Sequence, residues 1–205
     1  MLIDEAKLGF VHIPRTGGTS VETALIKKYG FVGRSLIAQP QEKAIVKVRN
    51  ITTGEYEYHK KHARYDELIG FAPNYKYYTL VRHPLNRVES LYRFLTFTKV
   101  GNRRLVETPF EEWVPKLIYG GMYGVEFLDT PPYLIDLSMI TLKQVDFIGK
   151  SEVHKLEDQT IWDALKIAPM KVFNLPNYFP IKWNLENVKI VEKYYAEDYE
   201  LLGYD

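Results

Sequence analysis

The stretch FVHIPRTGGTSVETAL, residues 10–25, sets a strand-like apolar run, a proline, a basic residue, two glycines and two hydroxyls directly ahead of a helical pattern. A short strand over residues 9–13 and a helix from Ser20 to about Tyr29, with Val21, Ala24 and Leu25 on one face, account for its two ends. Thr19 and Glu22 fit a capping box, which places the helix start just past the glycines. A glycine pair at such a turn lets backbone N–H groups face one concavity, and the helix N-terminus adds the positive end of its dipole. Arg15 contributes a permanent charge, and Thr19 and Ser20 contribute hydroxyl donors. A tetrahedral anion suits this loop. On these residues alone, a plain tight turn before a capped helix suits it equally.

The triphosphatase loop GxxxxGK[ST] does not fit, because no glycine stands at its first position and Thr19 occupies the lysine position. A kinase or ATPase also needs an acidic metal partner after a second strand. That second strand is KYYTLV, residues 76–81, rich in aromatic and β-branched residues, and Arg82 follows it instead. The next stretch, RHPLNRVESLYRFL, starts a helix with Pro84 at its favoured first position and Val88, Leu91 and Leu95 on one side.

Outward from these two strand-loop-helix units, AIVKVRNITTGEYEYH, residues 44–59, alternates on both sides of Thr53-Gly54 and is expected to be a β-hairpin. A short helix is expected around residues 65–69, a basic loop over 98–108 and a helix over 109–119. An irregular, glycine-, proline- and aromatic-rich insertion follows over 120–137. QVDFIG reads as a third strand, residues 155–167 as a helix, and 185–202 as one terminal helix striped by Val188, Val191, Tyr195, Tyr199 and Leu202. Strands alternating with helices predict a parallel sheet covered on both faces, with ligands at the carboxyl ends of the strands.

The 205 residues fit one domain with a sizeable core. At 46% hydrophobic and 26% charged, the composition is that of a globular protein. A net charge of +1 gives no global call for nucleic acid or an anionic membrane, so an anion site must arise from local clustering. The absence of cysteine excludes disulfides, thiolate nucleophiles and cysteine-ligated metals. MLIDEAKLGF is acidic where a signal peptide is basic, and no apolar run reaches the roughly 18 residues of a membrane span. A soluble, cytoplasmic protein is expected.

In LVRHPLNRVES, Arg82 ends a strand, Arg87 lies one turn into the helix and Ser90 follows three residues later, off the apolar stripe. A forked guanidinium with a hydroxyl is a receptor for a second phosphate, although Arg87 and Ser90 also suit a solvated face. Two anion receptors after two strands ask for a ligand with two separated anionic groups.

HIPRTGGTS and VRHPLNRVES together resemble the 5′-phosphosulfate loop and the 3′-phosphate motif of sulfotransferases that use 3′-phosphoadenosine 5′-phosphosulfate (PAPS). The likeness is to the carbohydrate-type branch that includes heparan sulfate 2-O-sulfotransferases. It continues through DFIGKSEVHKLEDQTIWDAL, where Glu152 and Asp158 match that branch's signature, and through VEKYYAEDYELLGY, and thins between residues 96 and 143. The resemblance implies a single α/β domain with a P-loop-like parallel sheet flanked by helices. In it Arg15, Thr16, Gly17, Gly18, Thr19 and Ser20 hold the 5′-phosphosulfate, and Arg82 and Ser90 hold the 3′-phosphate. The sequence departs from the family pattern at Arg15, where lysine is usual, and at His83, where an acidic residue is common. Arginine stabilises charge on a departing oxygen but does not donate a proton to it as lysine can.

Sulfuryl transfer to a hydroxyl needs a base and cations at the departing phosphate, and no metal. The resemblance places a catalytic histidine within YHKKHARYDEL, and His62 is the matching position, with an unperturbed pKa of about 6.5 that suits the task. His59 and the carboxylates of Asp66 and Glu67 are the other candidates. A zinc reading of His59 and His62 lacks a third ligand. Lys60, Lys61, Arg64, Lys99, Arg103 and Arg104 suit either an acceptor cleft or a solvated rim, and aromatics within residues 119–133 could stack on a sugar or on adenine. The expected activity is transfer from PAPS to a hydroxyl-bearing acceptor, with a carbohydrate implied. A nucleotide or small-molecule kinase with a degenerate P-loop, and a non-catalytic nucleotide-binding protein on the same fold, are the competing readings.

Overall fold

A computed structural model describes residues 1–29, 45–49, 56–60, 62–98, 108–119, 142–170 and 181–205, and within them the chain is a mixed α/β structure. Its elements run β1 (Leu2–Ile3), β2 (Leu8–Val11), α1 (Gly18–Tyr29), β3 (Ile45–Arg49), β4 (Tyr56–Lys60), α2 (Tyr65–Ile69) and β5 (Lys76–Val81). There follow α3 (Pro84–Thr98), α4 (Phe110–Tyr119), α5 (Val145–Ile148), β6 (Glu152–Lys155), α6 (Ile161–Ala164), α7 (Leu185–Tyr194) and α8 (Ala196–Leu202). They gather into two compact units, residues 1–82 with 146–173, and residues 83–145 with 174–205.

The first unit is built on a four-stranded sheet in the order β1-β2-β5-β6. β1 is antiparallel to β2, while β2, β5 and β6 are mutually parallel, with Val11 opposite Thr79 and Val81 opposite Lys155. Parallel strands are buried on both faces, which is why LGFV and KYYTLV are nearly continuous apolar runs. Alternation sends Phe10, Tyr78 and Leu80 to one face, where they pack with Val21 and Leu25 of α1 and with Ile161 and Trp162 of α6. Each such side chain contributes about 1.5–3 kcal/mol by leaving water. On the other face the Tyr77 hydroxyl lies 3.0 Å from the carbonyl oxygens of Leu68 and Ala72, and its ring meets the edge of Tyr65 from α2. Helices thus cover both faces. Because β2 and β5 run parallel, the loops that follow Val11 and Val81 leave the sheet at the same end. The expected hairpin is present as β3 antiparallel to β4, Arg49 opposite Tyr56; its Thr53-Gly54 turn lies outside the described residues.

The second unit is helical. Val88, Leu91 and Tyr92 of α3, Phe110, Trp113, Val114 and Leu117 of α4, and Ile190 and Val191 of α7 form its core with Tyr195. Pro115 sits inside α4 and carries no N–H for the carbonyl four residues earlier. That carbonyl, on Glu111, accepts the side-chain amide of Asn187 at 2.9 Å, and Asn187 is 1% exposed. The helix therefore keeps its proline without an orphaned buried acceptor.

Three expectations are corrected. The segment expected as a third strand forms the helical turn α5, because the fully buried Asp198 accepts the backbone N–H groups of Gln144 and Val145, each at 3.0 Å. The third parallel strand is β6, EVHK, an edge strand whose four residues are half-buried or exposed, so its composition is polar. Residues 155–167 are not one helix: Leu156 N–H donates to the Val81 carbonyl at 2.8 Å, and helix is confined to Ile161–Ala164. The terminal helix is two, broken at Tyr195, whose φ of −98° and ψ of 23° leave the helical region. The 120–137 insertion and residues 99–107 of the basic loop lie outside the described residues.

Candidate functional site

Between β2 and α1 the backbone alternates in hand. Arg15 has φ +68° and Gly17 φ +92°, whereas Pro14, Thr16 and Gly18 keep negative φ. Alternation of this kind turns successive N–H groups toward one side and makes a concavity that receives an anion. At Gly17 the positive φ is what glycine permits without strain. Arginine at +68° costs about 1–2 kcal/mol, which the surrounding fold must offset.

α1 begins at Gly18, two residues earlier than predicted, and the capping box does not form. Thr19 is already helical and exposed, and its carbonyl accepts the Thr23 hydroxyl at 2.8 Å. Glu22 is only 3% exposed, and its Oε1 lies 3.0 Å from Nδ1 of His12, itself 4% exposed. The carboxylate is drawn inward because an unpaired buried charge is costly and the imidazole answers it. A side chain at residue 18 would run into the His12 ring, so glycine is what lets the helix start settle on that imidazole.

Thr16 is fully buried, and its hydroxyl donates to the Ile13 carbonyl at 2.9 Å. Its one hydroxyl hydrogen is thereby used within the loop. Ser20 is 2% exposed, and its N–H donates to the Gly17 carbonyl at 3.0 Å.

Arg15 is mostly buried, and its guanidinium is held below its ordinary 12.5, to about 10, first by burial and then by the neighbouring charge of Arg82. The two arginines predicted at the two strand ends are therefore close enough to act on one another. At about 10 Arg15 still carries its charge near neutrality, and it does so at a cost that an anion would relieve.

His62 belongs to the same unit. Its Nδ1 lies 2.9 Å from the carbonyl oxygen of His12, and its ring meets the His12 ring edge-on at 4.6 Å between centroids. A carbonyl can only accept, so Nδ1 of His62 carries the hydrogen and, in the neutral ring, Nε2 holds the lone pair. Of the other base candidates, Glu67 accepts the backbone N–H of Arg64 at 2.8 Å and so caps α2, Asp66 is exposed, and the His59 side chain lies outside the described residues. The Arg64 guanidinium stands 6.0 Å from the Phe147 ring centre. Lys60, Lys61, Lys99, Arg103 and Arg104 also fall outside the described side chains, as do the aromatics of 120–133; Tyr119 is exposed.

In the second unit Ser90 is half-buried on α3. Arg87 is 4% exposed, and its Nη1 donates to the Leu142 carbonyl at 2.8 Å, which ties it into that unit. His83 Nε2 lies 3.3 Å from the Asp205 carbonyl oxygen, and its ring meets Tyr199 and Tyr204 edge-on. Glu152 pairs with Lys76 of β5 at 2.7 Å, which joins β6 to β5, and with His154 of its own strand at 3.0 Å.

The residues the sequence reading missed are His12 and Glu22. A signal was present: Glu22 falls in the apolar stripe between Val21 and Leu25, and a carboxylate there calls for a buried partner. Among the described residues no three His, Asp or Glu side chains are grouped to hold a metal ion, and no helix is long and apolar enough to cross a membrane. No family model matches the chain, and neither a curated protein nor a solved structure matches it.

Proposed function

We propose that the chain is a sulfotransferase on a P-loop-like fold, taking a sulfuryl group from PAPS to the hydroxyl of an acceptor, a carbohydrate in the first instance, in the cytoplasm. The observation that carries this reading is the alternately handed turn of residues 14–18 with the buried Arg15 set against Arg82. A guanidinium held down first by burial and then by the charge of Arg82, at the end of a parallel sheet, favours a ligand rich in anionic oxygen. PAPS has that chemistry and supplies the activated sulfuryl group. The residues of the first unit suit it: the backbone of the 14–18 turn and Arg15 would hold the phosphosulfate, while Arg82 would meet the 3′-phosphate.

The work of the chain's own residues follows from their protonation. His62, with its hydrogen fixed on Nδ1, offers Nε2 to the acceptor hydroxyl and takes its proton as the oxygen attacks. Arg15, a cation that does not release its proton near neutrality, stabilises negative charge on the departing phosphate without protonating it. Neither covalent intermediate nor redox change is involved, and the proton ends on His62.

Calorimetry with 3′-phosphoadenosine 5′-phosphate and with ATP plus magnesium tests the donor site. Tighter binding of the former supports the reading, whereas preference for ATP with magnesium replaces it with a kinase. Transfer of labelled sulfate to a panel of glycans, phenols and peptides then identifies the acceptor. Nucleotide binding without transfer to any member favours a non-catalytic binding protein.

A further inference from the structure

Glu22 and His12 lie beneath the anion turn, buried to 3% and 4% exposure, and neither has a part in the transfer chemistry above. A carboxylate on the core side of a twelve-residue helix is an expensive way to fill space, since a leucine would pack there without the loss of hydration. What the pair does is visible in its geometry. The Glu22 carboxylate stands 3.0 Å from Nδ1 of His12, an ion-pair contact that biases the orientation of that ring. Residue 12 then holds His62 twice, by its main-chain carbonyl at 2.9 Å from Nδ1 and by the edge-on ring contact at 4.6 Å. Space for this arrangement comes from Gly18, where any side chain would displace the His12 ring.

Resting on the reading of His62 as the base, we infer that Glu22 and His12 are positioning residues for His62. Together they hold it in one tautomer and one orientation, so that Nε2 alone is presented to the acceptor hydroxyl. The effect runs from the Glu22 carboxylate through the His12 ring to the His62 ring, and neither positioning residue touches the reacting atoms. A purely structural ion pair would add stability while leaving the state of the His62 ring indifferent to residue 22.

The tautomer is read directly from the imidazole nitrogen signals of the full chain labelled with 15N-histidine, His62→Gln identifying the resonance. In the native chain His62 is expected as the Nδ1–H form. Glu22→Leu is expected to mix the two tautomers and to lower kcat for sulfuryl transfer at least tenfold, with KM for the donor within about twofold. Glu22→Gln, which keeps a polar oxygen beside Nδ1 of His12, is expected to restore both. A native His62 in the Nε2–H form overturns the inference whether or not Glu22→Leu folds. A folded Glu22→Leu with the His62 tautomer and kcat both unchanged overturns it too. The nitrogen signals need no acceptor, so the two readings fail separately. The expected tautomers without transfer uphold the positioning and sink the sulfotransferase, whereas transfer with an indifferent tautomer does the reverse.

Discussion

Nδ1 of His62 lies 2.9 Å from the carbonyl oxygen of His12, a bond that assigns the hydrogen of one imidazole from the main chain of another residue. His62→Ala is therefore expected to leave nucleotide affinity intact while transfer falls by roughly 10²-fold or more. Single-turnover assays beside calorimetry separate the two quantities. Unchanged turnover would move the base to His59 or to a carboxylate.

Arg15 carries two costs in the ligand-free chain, a positive φ of 68° and a guanidinium held near 10 by burial and by Arg82. For a cation whose folded pKa is depressed, the penalty is fully present below about 10 and disappears as pH rises from there toward the ordinary arginine value. At pH 7 Arg15→Gly relieves the backbone strain, worth about 1–2 kcal/mol, and is expected to abolish phosphosulfate binding. Urea titration with and without 3′-phosphoadenosine 5′-phosphate tests this. A destabilised variant would mean that the contacts of the guanidinium outweigh the backbone strain.

Gly18→Ala places a methyl group against the His12 imidazole, an overpacking worth about 1–3 kcal/mol. If the clash is with that ring and nothing else, His12→Ala combined with Gly18→Ala should cost less than the sum of the single changes. A double-mutant cycle in urea measures the coupling, and strict additivity would locate the clash elsewhere.

Asn187→Leu leaves the Glu111 carbonyl, bared by Pro115, without its donor in the core of the helical unit. The expected loss is about 1–3 kcal/mol. Adding Pro115→Ala, which returns the missing N–H, should recover a large part of it. Thermal unfolding of the three variants decides, and no recovery would show that the Asn187 side chain contributes by its packing and not through the Glu111 carbonyl.

What was legible in the sequence had local causes. The β2 run, the glycines before α1, the KYYTLV strand and the Pro84 helix start are each written in residues that are neighbours in the chain. What was not legible was decided from a distance. VDFI has a strand's composition, but Asp198 caps its first N–H groups and makes it a helical turn. β6 hid because an edge strand does not need apolar residues. In the site, the turn and Arg15 could be found from glycine spacing and charge. The partner of Glu22 could not, because a capping box with Thr19 and a buried pair with His12 both draw on the same carboxylate, and only the tertiary fold chooses between them.

The Thr79 hydroxyl donates to the Val11 carbonyl across 68 positions of sequence, and on this one strand pairing depends the meeting of Arg15 with Arg82. Closing a loop of that size costs about 3–4 kcal/mol in chain entropy before any contact offsets it. Neither arginine belongs to a site until that closure is made, so a ligand that needs both can recognise only chains that have completed it. Such a ligand cannot guide the search for the fold. It is expected to slow unfolding in stopped-flow denaturant jumps and to leave the refolding rate nearly unchanged, acting as a latch on a ring already closed.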